Sequence, residues 1–214
     1  MRASCTQLES YRLFLTEDWF DEQELIDSIC GVFKPNHKIN LGSAFGQVLE
    51  HPWAHQVPGG YRVVVNGERF EFGHDMMREP LKLADPRGVF EAKAVTAYGP
   101  HQVSCRADHL LGGELGEFKT TLSAFDFDKY ARSVQWRFMA DAFQPSRVTY
   151  HVFLLDEGSN GVIGLKGIES FRLYPYAAMR QDCEALVQDF ARYVGMKGLS
   201  EYLEARQRAA EATV

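Results

Sequence analysis

Long apolar runs are missing from this sequence of 214 residues. No stretch approaches the roughly 20 consecutive apolar residues that a membrane-spanning helix needs, so no membrane role is expected. The first residues, "MRASCTQLESYRLFLTEDW", put acids and polar groups where a secretory leader needs an unbroken apolar segment. A cytoplasmic protein is the expectation. Cysteine is scarce too. Cys5, Cys30, Cys105 and Cys183 lie far apart and form no C-x-x-C pair, which argues against a zinc cluster or a disulfide framework and for reduced, buried thiols.

An excess of positive charge is also lacking. The formal net charge is -6, which excludes a protein that coats nucleic acid by bulk charge. A local basic groove, or an acidic pocket for a divalent cation, stays open. There is no Gly-x-x-x-x-Gly-Lys phosphate loop and no Gly-x-Ser-x-Gly elbow. Internal repeats and low-complexity segments are absent. What remains is 45% hydrophobic and 24% charged, enough for one good core.

Periodicity gives the elements. "TQLESYRLFL" sets Leu8, Tyr11 and Leu15 on one helical face, and "FDEQELIDSICGVF" does the same with Leu25, Ile29 and Val32 or Phe33. "INLGSAFGQVLE" is a third helix, stopped by Pro52. "YRVVVNGERFEF" is a hairpin about Asn66-Gly67, and "MMREPLKLA" a short helix or loop. "VFEAKAVTAYG", "HQVSCRADHLL" and "GELGEFKTT" form an antiparallel meander. One helix is expected over "FDFDKYARSVQWRFMADAF", with Asp126 or Asp128 as N-cap and Pro145 beyond its end. "RVTYHVFLLDE" is a strand and "VIGLKGIESFRLYP" one or two more. The tail is helical, with Cys183, Leu186, Val187, Phe190 and Val194 as its stripe, and "LSEYLEARQRAAEA" is a last helix. The expected architecture is a single α/β domain over residues 1–214: a helical part over about 1–60, a core over about 61–172 and C-terminal helices over about 173–214.

The chemistry gathers in the meander. Gly112-Gly113 permits a tight reversal, so that Asp108 and Glu117 lie near one another. Glu117 and Lys119 are two apart and share a face, with Phe118 pointing to the other. Two buried carboxylates repel and lose hydration; Mg²⁺, an oxygen-seeking cation, resolves both problems. A lysine beside it can place or deprotonate a water, or stabilise charge on a phosphate. That set suits phosphodiester hydrolysis. An E-x-K on a solvated strand face is the bland alternative. Further on, Ala131, Phe138, Met139 and Ala142 are expected on one helical face with Gln135 among them. A buried glutamine needs partners, either nearby backbone or a water or phosphate. Lys129, Arg132 and Arg137 with Trp136 make either a solvated helix face or an edge that guides single-stranded DNA. His109 should point away from Asp108 and be structural, and His51 and His55 are expected in a loop.

"VSCRADHLLGGELGEFKTT" followed by "YARSVQWRFMADAF" resembles the RecB-type branch of the PD-(D/E)XK nucleases. That pattern is a strand ending in Asp, a hairpin, a strand with (D/E)-x-K-T, and a helix with Q-x-x-x-Y. Asp108, Glu117, Lys119, Thr120 and Gln135 match in order. "LGSAFGQVLE" resembles the family's G-x-x-x-H-x-x-L-E segment, and "TQLESYRLF" its opening helix. The resemblance implies a restriction-endonuclease-like fold, a mixed β-sheet core flanked by helices. It implies Mg²⁺ or Mn²⁺ held by Asp108, Glu117 and the Phe118 carbonyl, with Lys119 catalytic and Gln135 beside the site on DNA or water. Two positions depart from the pattern. Gly46 stands where the family often has a metal-binding histidine, so Glu50, four residues on, is the expected helix ligand, against a surface glutamate. Met139 replaces the tyrosine. A related branch holds an iron–sulfur cluster on one N-terminal and three C-terminal cysteines; Cys5 and Cys183 are too few for it.

The expected activity is a metal-dependent DNA nuclease, by analogy a phage-type exonuclease of recombination or repair, with a homo-oligomer or a recombination protein as possible partner. The rivals are a catalytically weakened module of the same fold that binds nucleic acid or protein, and an enzyme acting on a mononucleotide.

Overall fold

The computed structural model describes residues 1–158, 161–203 and 205. The chain opens with a short strand, β1 (Arg2–Ser4), and helix α1 (Cys5–Thr16). Ser4 and Gln7 close a reciprocal capping box that fixes where strand becomes helix. Helices α2 (Glu22–Cys30) and α3 (His37–Glu50) follow, with a one-turn α4 (Pro52–His55). Next come β2 (Gln56–Val57), β3 (Gly60–Val65), β4 (Glu68–Gly73) and α5 (His74–Leu83). Then come the meander strands β5 (Val89–Tyr98), β6 (His101–Leu111) and β7 (Glu114–Thr121), followed by α6 (Phe127–Arg132) and α7 (Gln135–Phe143). Strands β8 (Val148–Glu157) and β9 (Ile163–Leu173) and helix α8 (Met179–Met196) complete the set. Residues 200–203 and 205 are again helical; the rest of the expected last helix lies outside the described residues.

The large sheet is mixed and six-stranded, in the order β1-β6-β7-β8-β9 with β5 also on β6. β1 and β8 run parallel to their neighbours β6 and β7, and the other pairs are antiparallel. Helices lie on both sides. Leu8, Leu25, Ile29, Phe138, Val187 and Phe190 cover one core. On the other side α3 buries Leu41, Ala44, Phe45, Val48 and Leu49 against Phe153 and the β3–β4 hairpin. Each of the larger of these side chains contributes roughly 1.5–3 kcal/mol by leaving water. Helix α3 comes close to β7: a Cβ on Gly42 would stand 3.0 Å from Thr120 Oγ1.

One feature of β6 organises the rest. From His101 to Leu110, with Asp108 passed over, β6 pairs with β5 along one edge. Its other edge is divided: residues 102–104 take β1, and residues 109–111 take β7. Residues 105–108 lie in the gap between them.

Several expectations change here. β1 brings residues 2–4 of the expected helical part into the main sheet. The Asn66-Gly67 hairpin forms as read, with both residues at positive φ (49° and 82°), but it belongs to a separate three-stranded sheet with β2. Residues 163–173 make one strand. Cys183, Val187, Phe190 and Val194 are buried as expected. Leu15, Val32 and Phe33 are exposed, because α1 and α2 end where their apolar stripes run past the core. The single helix expected over 125–143 is broken at Ser133-Val134, so Ala131 does not share the face of Phe138 and Met139. The cause is a tertiary contact. The Glu9 carboxylate of α1 accepts from Val134 N–H (2.7 Å) and Ser133 Oγ (3.0 Å), capping a new helix start that a negative charge favours. Trp136 Nε1 donates to the freed Ala131 carbonyl at 3.1 Å. Asp126 is the N-cap of α6 as expected, accepting from Lys129 N–H.

Glu9→Ala should therefore cost about 1–2 kcal/mol, the usual loss for a helix cap, measured by urea unfolding. An unchanged midpoint would show that α7 starts at Gln135 without it.

Candidate active site

The β6–β7 turn places Gly112 and Gly113 at φ 60° and 81°, a conformation that suits glycine at both positions. The ladder then sets Leu111 opposite Glu114, Leu110 opposite Leu115 and His109 opposite Gly116. The next step would pair Asp108 with Glu117, and there side chains take over from backbone. Asp108 N–H donates to Glu117 Oε1 at 3.2 Å, and Phe118 N–H donates to Asp108 Oδ2 at 2.8 Å. The unpaired edge thus finds its acceptors in two carboxylates.

Lys119 lies between them, its Nζ 2.7 Å from Glu117 Oε2 and 3.3 Å from Asp108 Oδ2. Glu117 is 2% exposed. Burial raises its carboxyl; Lys119 pulls it down and Asp108 pushes it back up, for a net value of about 7. For Lys119, burial alone would lower the ammonium, but the two carboxylates hold it well above its ordinary value. Tyr150, buried behind the pair, is raised by burial and by Glu117.

Phe118 turns to the other side, against Phe153, His151 and His109. His109 is buried, bonds the Asp85 carbonyl at 2.9 Å and packs on Phe90; it is structural, as its alternation implied. Gln135, the first residue of α7, is half-buried. It lines a cleft of about 940 Å³ together with Asp108, Glu117, Lys119 and Met139. A second cleft of about 640 Å³, walled by Lys119, Gln135, Tyr130 and Tyr150, continues beyond it. Asp108, Glu117, Phe118, Lys119 and Gln135 are therefore brought together.

Glu50 is absent from the lining of the larger cleft, although its charge reaches Glu91 beside Asp108. It contacts His51 at 3.3 Å and lines another cavity with Trp53, Tyr61 and Phe90. His51 caps the end of α3 and His55 lies in α4 rather than in a loop. A Cβ on Gly46 would meet nothing within 4 Å, so no neighbour takes the place of a histidine side chain.

The acid that sequence reasoning missed is Glu91. It falls opposite Asp108 between the pairs Phe90–His109 and Ala92–Ala107, at φ 52°. A glutamate in the left-handed region within a strand is strained. Burial raises its carboxyl, with Asp108 and Glu50 adding to the rise and Arg106 opposing it; Arg106 Nε contacts it at 2.7 Å. No glycine or asparagine marked the position. The thiol of Cys105, in the gap, meets that of Cys5 at the start of α1, a contact only β1 pairing could reveal.

The donor set fits a divalent cation. In a strand, a residue's N–H and C=O point to the same edge. Since Phe118 N–H reaches Asp108, its carbonyl faces the same gap, beside two carboxylates already drawn to a positive charge. Among the described residues no group of three or more His, Cys, Asp or Glu side chains is arranged for a metal. The groups that could hold a cation here are two carboxylates and a carbonyl, a set that water and phosphate oxygens would have to complete.

An acid-ended strand, a tight hairpin and an E-x-K strand at the centre of a mixed sheet between helices define the architecture. This fold recurs among solved structures. It is shared with the crystal structure of SSO0001, with 13% identity and a TM-score of 0.52 over 90% of this chain and 76% of that one. Two further structures align at a lower level. The alkaline exonuclease LHK-Exo of Laribacter hongkongensis is 10% identical, with a TM-score of 0.43 over 100% of this chain and 95% of that one. Its complex with dAMP is 11% identical, with the same TM-score over 99% and 94%. No family model matches the chain, and no curated protein matches it. No helix among the described residues is long and apolar enough to cross a membrane.

The raised Glu117 carboxyl has a pH consequence. A folded value of about 7 against an ordinary 4.5 means that the folded state prefers the protonated acid. That contribution is complete below pH 4.5 and is lost as pH rises to about 7. In metal-free protein, the melting temperature of Glu117→Gln relative to wild type should rise between pH 5 and 7.5. A flat difference would contradict the assignment.

Proposed function

We propose that the protein is a Mg²⁺- or Mn²⁺-dependent deoxyribonuclease that hydrolyses phosphodiester bonds, working as an exonuclease in phage-type or recombination DNA processing. The observation that supports this best is the buried Glu117 carboxylate, joined with Asp108 to one lysine ammonium at the floor of a wide cleft. A structural ion pair has no need of a second carboxylate, a carbonyl facing the same gap and an open approach.

Asp108, Glu117 and the Phe118 carbonyl would hold the ion. When bound, it supplies charge neutralisation at the phosphate and a more acidic water. The chain's own groups do the rest. Lys119 Nζ, released from the carboxylates, stands at the cleft wall. There it orients the attacking water, takes or returns its proton, and offsets charge developing on the phosphate oxygens. Gln135 presents an amide that donates to a phosphate oxygen or to that water. The Glu9 cap fixes Gln135 relative to Lys119. Glu91, opposite Asp108, holds Arg106 at the cleft rim. Tyr150 and Phe118 close the site from behind and keep bulk water out.

Linear, circular and single-stranded DNA incubated with Mg²⁺ or Mn²⁺ tests the proposal. Metal-dependent loss of linear substrate with circles intact identifies an exonuclease, whereas cut circles identify an endonuclease. Lys119→Ala and Asp108→Asn should each lower the rate by about 10²-fold or more, the range for removing an acid–base or electrostatic group. If no DNA is cut at high protein concentration while DNA is still bound, the protein is a binding module of the same fold.

A further inference from the structure

The path along the protein does not end beside Lys119. The second cleft adjoins a third cavity of about 550 Å³, and Arg12, Glu17 and Arg132 belong to the walls of both. Arg137 of α7 stands in this outer cavity. Its guanidinium lies 5.7 Å from the Trp136 ring and 6.0 Å from the Tyr176 ring. Both rings are themselves held: Trp136 by its bond to the Ala131 carbonyl, and Tyr176 by donating its hydroxyl to Asp182 at 2.6 Å. The Arg137 side chain is thus oriented by aromatic faces, not by a carboxylate.

Its hydrogen bonding is incomplete. The Nε atom is buried and has no partner, and among the described residues the guanidinium makes no ion pair. Arg180, the other arginine on an aromatic face, differs: it lies over Tyr98 and pairs with Asp141 at 2.7 Å. A buried guanidinium N–H without an acceptor is costly to keep, and the planar fork matches a phosphate. The neighbouring charges leave that role open. Arg12 is taken by Glu9 and Glu17. Asp182 accepts from Tyr176. Among the described residues the one ion contact of Arg132 is at 3.8 Å to an exposed Asp128.

We propose that Arg137, with Arg132 beside it, binds a backbone phosphate of a nucleic-acid strand that runs from the Lys119 cleft, past the α6–α7 break, into the outer cavity. This rests on the nuclease reading above and extends it: the substrate arm is a single strand, long enough to span both cavities. Gln135 and Arg137 sit two residues apart on α7, so one helix start, capped by Glu9, sets both the reacting end and the anchoring end of the path.

Arginine side-chain NMR tests this without any cleavage. The Nε–Hε spectrum of metal-free wild-type protein is recorded, with the Arg137 signal identified by its loss in Arg137→Lys. Oligothymidylates of two and about eight nucleotides, a length in the range of single-strand sites, and inorganic phosphate are then added separately. The expected result is a shift of the Arg137 signal with the octamer and little with the dimer. No shift at saturating octamer would overturn the proposal, and an equal shift with inorganic phosphate alone would reduce the site to a general anion pocket and overturn the strand path. If DNA is cut, Arg137→Gln should raise KM for the octamer by about tenfold, the worth of one charge-assisted hydrogen bond, with kcat and the thermal midpoint unchanged. A loss in kcat with unaltered KM would overturn it as well. An inactive protein whose Arg137 signal still shifts would sink the nuclease reading and leave this one standing.

Discussion

A strand edge divided between two partners is the constraint on which the site depends. β6 gives residues 102–104 to β1 and residues 109–111 to β7, and the backbone between them must find acceptors elsewhere. It finds Glu117 at Asp108 N–H, while Asp108 returns the bond to Phe118 N–H. The gap is therefore both an interruption of the ladder and the place where two acids are pulled inward. A continuous ladder would have left no room for carboxylates at 2.8 and 3.2 Å from backbone donors.

Burial then forces an electrostatic solution. Glu117 is almost fully enclosed, and an isolated carboxylate there would protonate. Lys119 supplies the counter-charge, but one lysine facing two ionised acids leaves the set with a formal charge of -1. Burial, with a smaller push from Asp108, raises Glu117 to about 7 against the pull of Lys119, while the two carboxylates hold Lys119 upward. A negative local field inside a protein of net charge -6 would repel an anionic strand unless positive groups offset it. The arginines and lysines that line the clefts are such groups.

Helix α7 links this centre to the outer cavity. Its start is set by Glu9 from α1, and α1 is itself set by the Ser4–Gln7 capping box beside β1. The first strand, first helix and seventh helix thus form one mechanical unit around the gap. Trp136 belongs to this unit as a core residue, 5% exposed, and not to a solvated helix face.

By itself the sequence determined the hairpin that carries Asp108, Glu117 and Lys119. Two glycines permit the reversal, the two-residue period puts Glu117 with Lys119, and the turn length sets Asp108 across from Glu117. These are local rules, and local rules suffice where every interacting residue lies within a dozen positions. The expected helix over 125–143, the helix ligand at Glu50 and the unnoticed Glu91 show where they stop. Glu9 breaks that helix from more than a hundred residues away. Glu50 contacts His51 outside the lining of the trio's cleft, with its charge felt at Glu91. Glu91 enters the acid row through a left-handed backbone that no glutamate advertises. Only the tertiary structure decided these, because each depends on how separate elements pack, and packing is a property of surfaces that no single stretch of the chain contains.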